Sequence, residues 1–121
     1  MRADVRRAVA YIAARASSGI ASSSVYDFDA QRYANFSGEV SDTSVSVLDF
    51  DARCHISGSR SGDSLSLYHF GAGGHVNLTF TGGGSFSGYD FSSNSHFNGN
   101  VSGKSVSLYD FGEGRHFTYS I

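Results

Sequence analysis

The sequence predicts an all-β domain of five tandem two-strand repeats, arranged as an antiparallel β-meander or hairpin array behind one N-terminal capping α-helix. Three observations carry this prediction. One motif recurs as SSSVYDF (22–28), SVSVLDF (44–50), SLSLYHF (64–70), SFSGYDF (85–91) and SVSLYDF (105–111), at spacings of 22, 20, 21 and 20 residues. Each copy is followed by a short polar or Gly-rich linker and a second alternating run: NFSGEVS (35–41), HISGSRS (55–61), HVNLTFT (75–81), HFNGNVS (96–102) and HFTYSI (116–121). Both runs alternate and are rich in β-branched and aromatic residues, the pattern of half-buried strands, and self-similarity at this period marks a repeat architecture. Finally, 121 residues with ten Phe and no Pro allow a single domain, 1–121, with one modest core.

Residues 1–19 form the only convincing helix. Val5, Ala8, Val9, Ile12 and Ala16 recur at helical spacing, while Arg6, Arg7 and Arg15 fall mostly off that stripe. Gly19 is the stop signal. Residues 1–21 hold four basic side chains and one acid (+3), and the remaining hundred hold five and ten (−5). A basic amphipathic helix beside an acidic body is expected to pack on it as a cap. The apolar stretch AVAYIAA is too short to span a membrane, and Asp4 and Arg15 interrupt it as a signal peptide. With one cysteine and no clear export signal, a cytoplasmic location is the expectation.

Residues 22–121 hold the five repeats. Gly62-Asp63 and Gly103-Lys104 separate alternating runs as two-residue hairpin turns do. They set Arg60 opposite Leu65 and Val101 opposite Val106. Within the last unit, a four-residue linker from Gly112 to Arg115 sets Phe111 opposite His116 and Leu108 opposite Tyr119. One face then carries Val106, Leu108, Asp110, Phe117, Tyr119 and Ile121; the other carries Ser105, Ser107, Tyr109, Phe111, His116, Thr118 and Ser120. A β-solenoid, with like residues stacked in columns, is the alternative. It would place Asp27 and Asp49, or Asp90 and Asp110, about 4.8 Å apart, where carboxylates repel.

The repeats align side chains into columns. Phe28, Phe50, Phe70, Phe91 and Phe111 form one, beside Tyr26, Tyr68, Tyr89 and Tyr109. So continuous an apolar stripe calls for a cover: the helix, sheet closure or a partner. The chain given stops inside its last strand, and an open edge there predicts a homodimer through the C-terminal repeat. His55, His75, His96 and His116 share another position and are candidate ligands for zinc, copper or nickel, against a plain structural role. Asp27, Asp49, Asp90 and Asp110 are candidates for calcium or for acid–base work, against capping of turns; the GGxGxD calcium motif is absent. Cys54 and His55 are adjacent on a strand and so face opposite ways, which disfavours Cys–His catalysis. No GxSxG elbow is present, and a net charge of −2 gives no electrostatic case for nucleic acid.

In architecture, residues 22–121 resemble tandem two-strand repeat proteins. The segment Tyr109-Asp110-Phe111-Gly112-Glu113-Gly114-Arg115 resembles the YD repeats of bacterial secreted shells, and that resemblance implies hairpin architecture alone. The expected function is a non-enzymatic structural or binding module. It would present a repeated aromatic and polar surface, with Tyr68, Tyr89, Tyr109, Phe70, Phe91 and Phe111 at its centre, to a protein or glycan partner. A small-molecule or metal-binding protein is the alternative.

Overall fold

A computed structural model describes all 121 residues. Helix α1 (Ala3–Ser18) precedes ten strands: β1 (Ser24–Asp27), β2 (Arg32–Val40), β3 (Ser44–Asp49), β4 (Cys54–Ser61), β5 (Ser64–His69), β6 (Gly74–Gly82), β7 (Ser85–Asp90), β8 (Ser95–Ser102), β9 (Ser105–Asp110) and β10 (Arg115–Ser120). Each strand pairs antiparallel with its neighbour in sequence, and β10 returns to β1 to close a barrel. The chain is therefore a meander and not a solenoid. Equivalent residues of successive units lie two strands apart, about 9.6 Å, which relieves the repulsion that stacked carboxylates would suffer. Closure also removes the open edge on which the homodimer was expected to form, because β1 occupies the outer side of β10.

At one end of the barrel the two-residue turns behave as their chemistry dictates. Gly103-Lys104 joins Ser102 to its partner Ser105, with Gly103 at φ 58°, and Val101 faces Val106. At the other end the register differs from expectation by two residues: Tyr109, not Phe111, faces His116, and Leu108 faces Phe117. The reason is the aspartate. Asp110 Oδ1 accepts the amide hydrogens of Gly112 (2.9 Å) and Glu113 (3.3 Å), so the turn begins immediately after it and Phe111 belongs to the turn. A slip of two preserves parity, and the two faces keep the residues expected of them.

Helix α1 is not an end cap. Every residue from Val5 to Ala14 is buried, so the helix has no exposed face and runs inside the barrel. Its length, about 24 Å for 16 residues, matches strands of six to nine residues. Gly19 ends it in the left-handed region at φ 68°, donating its N–H to the Arg15 carbonyl. Arg6 and Arg7, which the amphipathic pattern assigned to solvent, meet inward-facing acids instead. Arg7 pairs with Asp49 at 2.9 Å, and Arg6 pairs with Asp110 at 3.3 Å while lying 3.8 Å from the Phe117 ring centroid. These acids belong to strands on opposite sides of the lumen, so the ionic contacts fix the helix from two directions.

The wall leaves room for this helix through a small–large exchange between units. Across strand pairs the inner layer reads Gly38 with Val47, Gly58 with Leu67, Leu78 with Gly88 and Gly99 with Leu108. Where the third unit has Leu instead of Gly, its partner becomes Gly, and the layer keeps its volume. A Cβ on Gly58 would run into the Ser66 carbonyl oxygen, so the neighbouring backbone approaches too closely for any side chain.

Candidate functional site

The two side-chain columns beside the four-residue turns part across the barrel wall. Asp27, Asp49, His69, Asp90 and Asp110 point inward and are at most 3% exposed. Each accepts hydrogen bonds from its own turn. Asp27 Oδ1 takes the Asp29 and Ala30 amides, Asp49 Oδ1 those of Asp51 and Ala52, and Asp90 the Ser92 amide and the Ser93 hydroxyl. The helix supplies the countercharge for Asp49 and Asp110, and the Met1 amino group lies 3.2 Å from Asp110. Tyr119 sits in this layer too, its hydroxyl held protonated well above the ordinary range by burial first and the Asp27 charge second. Engaged in this way, the aspartates cap their turns, and Asp49 and Asp110 anchor the helix.

The one non-aspartate of the inner ring meets the one cysteine. His69 Nε2 lies 3.9 Å from Cys54 Sγ and 4.0 Å from the Asp4 carboxylate. His69 Nδ1 accepts the Ala72 N–H, so the neutral ring carries its proton on Nε2. That tautomer donates towards sulfur and does not act as a base for it. Burial lowers the His69 pKa and raises that of the Cys54 thiol, and this neutral pair lacks an activated nucleophile. Cys54 faces in and His55 out, as alternation requires.

The metal candidates are not gathered. His55, His75, His96 and His116 are exposed on the outer wall, one per hairpin, and no group of three or more His, Cys, Asp or Glu side chains comes together to hold a metal ion. Three of them pack on tyrosines. Ring centroids are 4.9 Å apart for Tyr68–His75, 4.6 Å for Tyr89–His96 and 4.7 Å for Tyr109–His116. The same tyrosines meet Phe70, Phe91 and Phe111 at 4.7–4.8 Å, with all these rings inclined by about 70°. The structure thus groups Tyr68, Tyr89, Tyr109, Phe70, Phe91 and Phe111 into ring clusters on the outer wall and adds His75, His96 and His116 to them. The five phenylalanines are 50–58% exposed; neither α1 nor barrel closure covers them.

A recurring groove lies between successive clusters. Phe111 donates its backbone N–H to the His96 carbonyl, Phe91 to that of His75 and Phe70 to that of His55, so these three phenylalanines sit over the histidine of the preceding unit. Between them opens a space of about 540 Å³ walled by Tyr89, His96 and Phe111, with Asn77, Ser87 and Asn98 contributing polar groups. The equivalent space two units earlier, about 580 Å³, is lined by Ser46, His55, Ser57 and Phe70. The polar lining went unnoticed in the sequence. Strand parity assigns these residues outward, but nothing local shows which unit's phenylalanine reaches which unit's histidine. Helix α1 runs through the lumen, and a space of about 420 Å³ opens beside it between Tyr11, Arg15, Phe36 and Gly38. No protein-family model, curated protein or solved structure matches this chain.

Proposed function

We propose that the protein is a non-enzymatic binding module that engages a glycan through the outer grooves between its repeats. The observation that carries this reading is the recurrence of one groove at two equivalent places in the barrel, with aromatic walls and a hydroxyl-bearing lining that the later groove supplements with the amides of Asn77 and Asn98. Aromatic rings take the C–H faces of a sugar, while Asn and Ser side chains exchange hydrogen bonds with its hydroxyls. The rings lock one another by edge contacts, so little side-chain freedom is lost on binding. The outer wall between the grooves carries Ser, Thr and Asn, the reverse of a barrel that faces lipid.

The alternative of a carrier that holds its ligand beside α1 would use the smaller space of about 420 Å³ at Tyr11, Arg15 and Phe36, which does not recur between units. A protein partner would use the same exposed phenylalanines, but it would not need a polar groove of sugar size. The test is a glycan array followed by titration, comparing the native chain with Tyr89→Ala and Phe111→Ala. Both positions lie on the outer wall, so the fold is expected to survive. Each variant should weaken binding about tenfold or more, as loss of a buried aromatic contact does. Failure of every glycan to bind at millimolar concentration, or binding indifferent to both changes, would overturn the assignment.

A further inference from the structure

The groove between the second and third units differs from its equivalent between the fourth and fifth in charge: it is cationic. Arg53 lines it, beside His55, Ser46, Ser57 and Phe70. Every other arginine is engaged. Arg2, Arg6, Arg7, Arg32 and Arg115 pair with carboxylates, while Arg15 and Arg60 donate to backbone carbonyls. Arg53 is exposed and has neither kind of partner.

The acids nearest in sequence are already committed. Asp51 is held by Arg32 at 2.6 Å, and Asp49 by Arg7 at 2.9 Å inside the barrel. A free guanidinium therefore stands in a groove of a hundred-residue body whose formal charge is −5. The matching turn position in the fourth unit is Asn94, which shares the left-handed backbone (φ 54° against 55°) and is neutral. The tyrosine that walls the later groove is replaced here by Leu48, which faces His55 across the strands and carries no hydroxyl to compete for a polar ligand.

From these contrasts we infer that the Arg53 groove is a site for an acidic saccharide, its carboxylate received by Arg53 while a sugar face lies against Phe70. The guanidinium offers paired N–H donors of the right geometry for a carboxylate, and Ser46 and Ser57 supply hydroxyl partners for the ring. This rests on the glycan reading above and adds the charge of the ligand and the groove that selects it.

Two probes separate the claims: a hyaluronan tetrasaccharide, which alternates glucuronate with N-acetylglucosamine, and neutral chitotetraose. Titration at low salt, followed by amide chemical shifts, should show the hyaluronan fragment binding about tenfold tighter, with shifts centred on residues 46–57 and 70. Arg53→Gln should abolish the preference, whereas Arg53→Lys should retain part of it; an unchanged melting temperature certifies each variant. Binding of chitotetraose with no preference for the acidic fragment would overturn this inference and spare the glycan reading. A preference that survives Arg53→Gln would overturn it as well, and so would no binding of either probe, the wider glycan reading then being decided by the array.

Discussion

His69 shows how one side chain departs from a repeat and is accommodated. The inner ring wants a turn-capping acceptor, and His69 Nδ1 serves the Ala72 amide as the aspartates serve theirs. The helix answers the change in charge. Where the ring has Asp49 and Asp110 it presents arginines, and where the ring has His69 it presents Asp4 at 4.0 Å. Burial outweighs the attraction of Asp4 and lowers the His69 pKa. The unfolded chain therefore takes up a proton around the ordinary histidine value of about 6.5, where the folded chain does not. Stability contributed this way is present above that range and is lost as pH falls through it. In His69→Asn, whose side chain can accept the same amide but does not titrate, the drop in melting temperature between pH 7.5 and 5.5 should be smaller than in the native chain. An equal drop in both would show that other groups govern the acid limb.

The strands raise a question of volume. Ten short strands must enclose a helix, and side chains on every inner position would overfill the lumen. Glycines 38, 58, 88 and 99 meet this by exchanging size with the residue across the strand pair, and α1 contributes small residues at Ala8, Ala10, Ala13 and Ala14. Gly58→Ala places a methyl group against the Ser66 backbone, which cannot rotate aside as a side chain would. The expected cost is about 1–3 kcal/mol, the usual penalty of overpacking, read as a lower urea midpoint at unchanged slope. A neutral outcome would mean that neighbouring strands can separate locally, and the complementary pairing of Gly with Leu or Val would lose its explanation.

In the molecule as a whole, the pseudo-fivefold pattern breaks on both sides of the first unit. From the third unit to the fifth, each turn phenylalanine bonds to the first outward residue of the preceding unit's second strand, His96 under Phe111 for example. At the first unit's borders the bond slips by two residues, Phe50 to Asn35 instead of Tyr33 and, at the seam, Phe28 to Thr118 instead of His116. Only two residue pairs join β1 to β10, supported by Arg115 and Asp29 at 2.9 Å. Much of the cohesion therefore comes from the interior, where 27 residues, α1 prominent among them, form a single apolar cluster. Removing residues 1–19 should leave Asp49 without its arginine and the inner face without a core. The truncated chain is expected to bind a hydrophobic dye and to melt without a cooperative transition. A sharp transition with native near-ultraviolet dichroism would show that the barrel stands without its helix.

The sequence by itself determined the repeat, the strands, the two-residue turns and the side chains that share a face. Those depend on alternation and turn chemistry within some twenty residues, and on a parity that survives even the two-residue error in register. It also placed Tyr68, Tyr89, Tyr109 and their phenylalanines on one surface, the residues on which the proposed function rests. Which face turned inward was decided only by tertiary structure, because both faces carry aromatic residues and parity cannot tell inside from outside. The sum of ten strand staggers closes the sheet, and no single hairpin encodes that sum. In the closed barrel the carboxylates face the lumen, where they meet a helix whose arginines, read alone, belonged in water. The groove came last, since it joins units that meet only when neighbouring hairpins lie side by side.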